Sequence, residues 1–215
     1  MLRIHFEADD LARTRVLDAP DPLWETLLSL HQLQSGAGHA VFGEWRASVR
    51  ACLDRSVGML FALAPPRGYS VDFLTPPAGG GGLDSAIDSV LSTPRAVFRS
   101  DLTALAAERR TPAWVSPPAN GCLDVLRRLG SAIRRYFSAA LAPSWPAITD
   151  LARADRLRRG HVMLGDGVEG LPATLPPAVR WQSPVLEVDY PVDQELRLDG
   201  RGLLLVPSMF CRHRR

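Results

Sequence analysis

Leu2, Ile4 and Phe6 alternate with Arg3 and His5, the period of two that a half-buried strand imposes. Near the other end, Leu186, Val188 and Tyr190 alternate with Glu187 and Asp189, and residues 195–198 alternate again. Asp199, Gly200, Arg201 and Gly202 supply turn chemistry, and 203–206 is an unbroken apolar return run. A lone hairpin is marginal in water. The pattern therefore predicts one small sheet in which 2–6 pairs with strands near 185–190 and 195–206. The 203–206 run reads as a strand covered on both faces, an edge whose neighbour lies in sequence beyond the chain, so self-association or a partner is expected.

Between these ends the periodicity is helical. Residues 8–16 read as a short helix with Asp9 and Asp10 in its first turn and Arg13 and Arg15 late, as the helix dipole prefers. Asp21 is a good N-cap and Pro22 is tolerated at the first helical position, opening a helix whose broad apolar face carries Leu23, Leu27, Leu30 and Leu33. After a glycine-rich break at 36–38, a third helix is expected over about 43–62, with Trp45, Val49, Cys52 and Leu53 inward. Further helices are expected at 83–92 and 95–110. The longest apolar stripe follows Asn120, a candidate N-cap, and runs through Leu123, Leu126, Leu129, Ile133, Phe137 and Leu141. Pro143 and Pro146 break it, and a basic helix follows over 147–164. The fold class expected is α+β: a mostly helical single domain over 1–210, with a flexible loop at about 77–83 and a basic tail at 211–215.

Composition changes this picture little. A chain of 215 residues that is 46% hydrophobic can bury a substantial core. Its 25 basic and 23 acidic residues leave a net charge of only +2, no argument for a nucleic-acid surface. All the basic residues are arginine, a signature of GC-rich coding rather than of function. Cys52, Cys122 and Cys211 are odd in number and widely spaced, which suits a reducing compartment. With no signal pattern and no apolar run near the ~20 residues a bilayer requires, a cytoplasmic protein that does not engage membranes is expected.

Several strings are distinctive. They are MLRIHFEADDLARTRV at 1–16, PDPLWETLLSLHQLQ at 20–34, FGEWR at 42–46, LAPPRGYSVDFLTP at 63–76, and the pair Leu83 and Asp84. SVLSTPRA at 89–96, LAPSWPAI at 141–148, PVLEVDYPVD at 184–193 after Arg180 and Trp181, and LDGRGLLLVPS at 198–208 before Phe210 and Cys211 complete the set. Across nearly its whole length the chain resembles the N-terminal, non-DNA-binding region of actinobacterial ArsR-type winged helix-turn-helix regulators. The resemblance implies an effector-sensing, dimerisation or support region, a homodimer or a winged-helix domain as partner, and DNA contact only through that domain. The winged-helix domain itself is expected to be absent from this chain.

Candidate chemistry is sparse. The glycines at 79–82 lack the Lys and Ser/Thr of a P-loop, and no G-x-S-x-G elbow occurs. The pair Cys211 and His213 is the one close thiol–imidazole spacing; no metal, cofactor or catalytic residue is assigned. Arg127, Arg128, Arg134, Arg135, Arg153, Arg156, Arg158 and Arg159 could contact phosphates. They read more simply as solvated faces, with Asp124, Asp150 and Asp155 near enough to pair, so no DNA-binding residue is assigned either. Trp45, Tyr69 and Trp181 are the candidate ligand-binding residues, aromatic groups with polar tips at element boundaries. The alternatives to a regulator part are an autonomous binding module or truncated gene product, and, ranked last, a small-molecule enzyme; the chain is read as not an enzyme.

Overall fold

Alternation at the start of the chain does build a strand, β1 (Leu2–His5), and it becomes the centre of a sheet. The computed structural model describes residues 1–36, 38–77, 81–115, 122–175, 179–190 and 193–211. The glycine-loop residues 78–80, Asn120, and the tail from 212 onward, His213 included, lie outside them. The architecture is α+β, mostly helical with a small mixed sheet. The chain divides into two compact units, one of residues Met1–Pro20 and Thr149–Pro207, the other of Asp21–Ile148 and Ser208–Arg215.

The first unit holds the strands. β1 pairs antiparallel with a strand at Val185–Val188 and parallel with one at Gln194–Arg197. The Val185–Val188 strand turns through Ser183 and Pro184 onto Val179–Gln182. Ile4, Phe6, Leu186 and Leu198 are buried together, and Trp181 packs edge-on against Phe6 at 5.3 Å. The opposite face of β1 is a charge ladder. Arg3 lies 3.5 Å from Glu187 and 3.4 Å from Glu195, while His5 Nε2 is 2.8 Å from Glu195. The His5 hydrogen bond is the main cause holding the Glu195 carboxyl below its ordinary range.

Two expectations fail here for one reason. The helix expected over 8–16 is α1 (Ala8–Arg13); it stops because the Thr14 hydroxyl donates back to the Asp10 carbonyl at 2.8 Å and residue 14 turns extended. Arg15–Val16 then forms β2, which pairs in parallel with Leu204–Leu205. The expected hairpin between 195–198 and 203–206 is therefore not formed. The 203–206 run is half-buried rather than covered on both faces, and β2 is its neighbour. The turn chemistry is real, but it steers the chain elsewhere. Asp199, Gly200 and Gly202 take positive φ of 49°, 76° and 74°. The buried Asp10 carboxylate accepts the Gly202 N–H at 2.9 Å and the Glu7 N–H at 2.9 Å, tying the turn to α1. Burial raises the Asp10 pKa, but donation from Gly202, Glu7 and Gly200 outweighs it and the net shift is downward.

The second unit is helical. Asp21 caps α2 (Pro22–Gln34), its Oδ1 accepting the Leu23 and Trp24 N–H groups at 2.9 and 3.0 Å. The helix expected at 43–62 is two. α3 (His39–Cys52) ends at Leu53, and Asp54 starts a new turn by accepting the Ser56 N–H at 2.6 Å before α4 (Gly58–Leu63). Its buried side chains are Phe42, Arg46 and Val49; Cys52 is exposed and Trp45 and Leu53 are half-buried. Arg46 goes inward because the last carbonyls of α2 need donors. Its Nε donates to the Gln32 carbonyl at 2.7 Å, and Arg50 Nη2 to that of Leu33 at 2.8 Å.

α5 (Leu83–Leu91) and α6 (Arg95–Glu108) fall where the periodicity predicts. α7 (Cys122–Ala140) is the hub, packing against α2, α3, α4 and α5. Leu126, Leu129, Ile133 and Leu141 are buried as predicted, and Val125, Ala132 and Tyr136 widen the stripe. α8 (Trp145–Asp166) lies mostly, and the short α9 (Gly170–Ala173) wholly, in the first unit. Among the described residues no helix is long and apolar enough to cross a membrane.

Gly202 offers the cleanest test of the turn. A Cβ there would sit 2.6 Å from Arg13 Cβ and 2.8 Å from the Arg13 backbone, at a φ of +74°. Gly202→Ala should therefore cost roughly 2 kcal/mol or more in denaturant unfolding. Gly160→Ala, in the interior of α8 with no atom within 4 Å, should stabilise by about 0.5–1 kcal/mol. Equal effects of the two changes would show that the turn is not strained as described.

Candidate functional site

Glu25 is a carboxylate in the wrong place for a surface helix. It lies on α2 two residues from Leu23 and Leu27, and its side chain is fully buried. A buried carboxylate needs donors, and the segment 208–210 provides them. Met209 N–H donates to Oε1 at 2.9 Å and Ser208 Oγ–H to Oε2 at 3.1 Å. The Phe210 N–H donates to Ser208 Oγ at 3.2 Å. Phe210 itself is 1% exposed and stacks on Phe42 at 5.3 Å and against Trp45 at 4.8 Å. Gln32 Nε2 closes the contact by donating to the Phe210 carbonyl at 3.2 Å.

The electrostatics of this anchor are unusual. Burial pushes the Glu25 pKa up to about 7; the Met209, Ser208 and Phe210 donors pull it down only in part, and the Asp21 charge raises it further. Glu25 therefore changes protonation near neutral pH while fastening a chain segment to the helices. As an acid the carboxyl can itself donate to Ser208 Oγ; as an anion it can only accept.

Of the three candidate ligand residues, Trp45 and Tyr69 lie in the helical unit and Trp181 in the unit that holds the strands. Trp45 Nε1 donates to the Ala140 carbonyl at 2.9 Å, so its polar tip is used by the fold, and its ring flanks Phe210. Burial, then the charges of Asp101 and Asp72, raises the Tyr69 hydroxyl pKa, and its backbone N–H donates to Glu108 at 2.7 Å. Trp181 belongs to the other unit, in the strand core. Of the three, Trp45 is the one at the Glu25–Phe210 anchor. Sequence reasoning passed over Glu25 itself; an acid placed between leucines of an apolar helix face was the available signal.

The helix arginines are largely neutralised. Arg127 lies 2.7 Å from Asp124, Arg153 3.9 Å from Asp150, and Arg158 and Arg159 lie 2.7 and 2.6 Å from Asp155. Arg134 reaches Asp84 at 2.6 Å and Arg135 reaches Asp54 at 3.7 Å. Among the described residues no group of three His, Cys, Asp or Glu side chains is arranged to hold a metal ion. No protein-family model matches the chain, and searches of curated proteins and of solved structures find no match.

The pH dependence of Glu25 has a definite sign. Its folded pKa, about 7, lies above its ordinary value of 4.5, so the folded state binds the extra proton between these limits. The associated stability is complete below about pH 4.5 and is lost as pH rises through 7, on the order of 3 kcal/mol in all. Glu25→Gln keeps an acceptor for Met209 and a donor for Ser208 without the charge. Its stability should fall less than that of the wild type between pH 5 and 8, measured by urea unfolding. Parallel pH profiles for the two proteins would show that Glu25 does not titrate there. Phe210→Ala should cost about 3–5 kcal/mol by emptying the space against Phe42 and Trp45; a loss under about 1 kcal/mol would mean the anchor does not hold the unit together.

Proposed function

We propose that this chain is the effector-sensing, dimerisation or support region of an ArsR-like bacterial transcriptional regulator, with DNA read by that family's winged helix-turn-helix and not by these residues. The observation that supports the reading is where the resemblance-bearing strings meet. Glu25 and Gln32 come from the 20–34 string, Phe42 and Trp45 from 42–46, and Ser208 from the end of the 198–208 string. Phe210 and Met209 follow directly, and Ala140, which holds the Trp45 indole, adjoins the 141–148 string. Strings far apart in sequence thus share one anchor, as expected if they specify a common domain.

The charge distribution agrees. α7 buries Val125, Leu126, Leu129 and Ile133, and on its exposed face Arg127, Arg134 and Arg135 are paired with acids. The ion pairs of α7 and α8 leave few guanidiniums for phosphate. This chain alone should bind duplex DNA without sequence preference, with dissociation constants of roughly 0.1 mM to 1 μM that weaken steeply with salt.

Two measurements test the proposal. A gel-shift titration of the chain should give that weak, salt-sensitive binding; tight, sequence-selective binding at physiological salt would move DNA reading into these residues. In the bacterium that carries the gene, chromatin immunoprecipitation of the natural protein should enrich discrete promoter intervals. A flat profile across growth conditions would sink the regulator reading.

A further inference from the structure

Four arginines of the helical unit converge on one groove. Arg127, Arg128 and Arg135 come from α7, at positions i, i+1 and i+8 that flank Ser131 and Ala132, and Arg55 comes from the turn before α4. The groove has a volume of about 550 Å3, within the range of small-molecule sites. Its floor is apolar: Met59 and Trp114 pack on the helical core and Ala132 is buried. Its rim is cationic.

The charges do not cancel. Asp124 answers Arg127 at 2.7 Å, and Asp54 answers Arg135 at 3.7 Å. Arg55 and Arg128, both exposed, have no carboxylate partner among the described residues. Two guanidinium charges therefore remain over, on a rim where like charges repel. A ligand carrying two negative charges at one end would relieve that repulsion through charge-assisted, bidentate hydrogen bonds. A flat apolar body would cover Trp114 and Met59.

We propose that this groove binds a small phosphate monoester whose apolar, ring-bearing part lies on Trp114 and Met59 and whose dianionic phosphate is held by Arg55 and Arg128. The site stands independently of the regulator reading, since an anion groove serves an autonomous binding module equally well. A nucleic-acid strand would need a basic track longer than this rim, and the neighbouring arginines, Arg134 with them, are already paired with acids.

Calorimetric titration at pH 8 and low salt tests it, with phenyl phosphate, phenyl sulfate and inorganic phosphate as probes. Phenyl phosphate should bind with a dissociation constant of about 1 mM or tighter, and at least ~10-fold more tightly than either other probe, because only it combines two charges with a ring. Arg55→Gln and Arg128→Gln should each weaken it by ~10-fold with an unchanged melting temperature, and Arg153→Gln, a surface arginine paired with Asp150, should leave it unaltered. Equal affinity for the three probes, or wild-type affinity in both groove variants, would overturn the proposal. So would a DNA oligonucleotide that binds through Arg55 and Arg128 where phenyl phosphate does not.

Discussion

The helical unit depends on burying one side of α7. A helix whose leucines, isoleucine and tyrosine line a wide stripe is stable in water only if that stripe is covered. Each fully buried large apolar side chain contributes about 1.5–3 kcal/mol. Covering the stripe from several directions fixes where α2, α3, α4 and α5 can lie. Gly130 lets α5 come close: a Cβ there would be 3.2 Å from Ile87 and 3.3 Å from Leu91. Tyr136 sets the register against α2, its hydroxyl 3.0 Å from Ser29 Oγ, with both side chains fully buried. Because the Ser29 hydroxyl already donates to the Thr26 carbonyl at 2.9 Å, the tyrosine is the donor in this pair. Sliding either helix by one residue would orphan both groups, at a cost of about 1–3 kcal/mol each.

The buried charges are placed where backbone groups would otherwise go unpaired. Arg46 answers a carbonyl at the end of α2; Asp10 answers the N–H groups of Gly202 and Glu7; Asp101 answers the Phe73 N–H at 2.9 Å. Among the described residues no buried side-chain nitrogen or oxygen lacks a partner. Each of these groups substitutes for a cap or a water that the local sequence does not provide. Glu25 belongs to the same class by geometry but not by energetics. Its donors do not offset its desolvation, so its charge is only marginally tolerated at neutral pH.

Legibility in the sequence follows from how local each determinant is. The cap at Asp21, the leucine face of α2, the positions of α5 and α6 and the stripe of α7 depend on residues a turn apart, and all were readable. So was the pairing of β1 with 185–188, because alternation specifies a buried face whatever strand covers it. What was not readable depends on contacts far along the chain. Residues 15–16 leave the helical pattern because 204–205 offers a parallel partner, and 203–206 leaves the 194–197 strand because Asp10 holds Gly202. The break after Cys52 was written locally, in Asp54 and Ser56, but the continuing apolar residues Leu53, Val57 and Leu60 masked it. For the site, Glu25 and Arg55 stand out only once 208–210 and α7 are beside them, contacts that no local pattern encodes.

The two charged features of the helical unit differ in what they require from outside. Glu25 is enclosed, and its two oxygens are answered by the Met209 N–H and the Ser208 hydroxyl. Its consequence is energetic: deprotonation leaves a desolvated carboxylate whose cost the Met209 and Ser208 donors offset only in part. The arginine groove is open, its charge is left partly unanswered, and its apolar floor gives a ligand something to cover. A cationic rim only partly answered by acids among the described residues, over a half-buried tryptophan, is what an anion with an apolar body would complement.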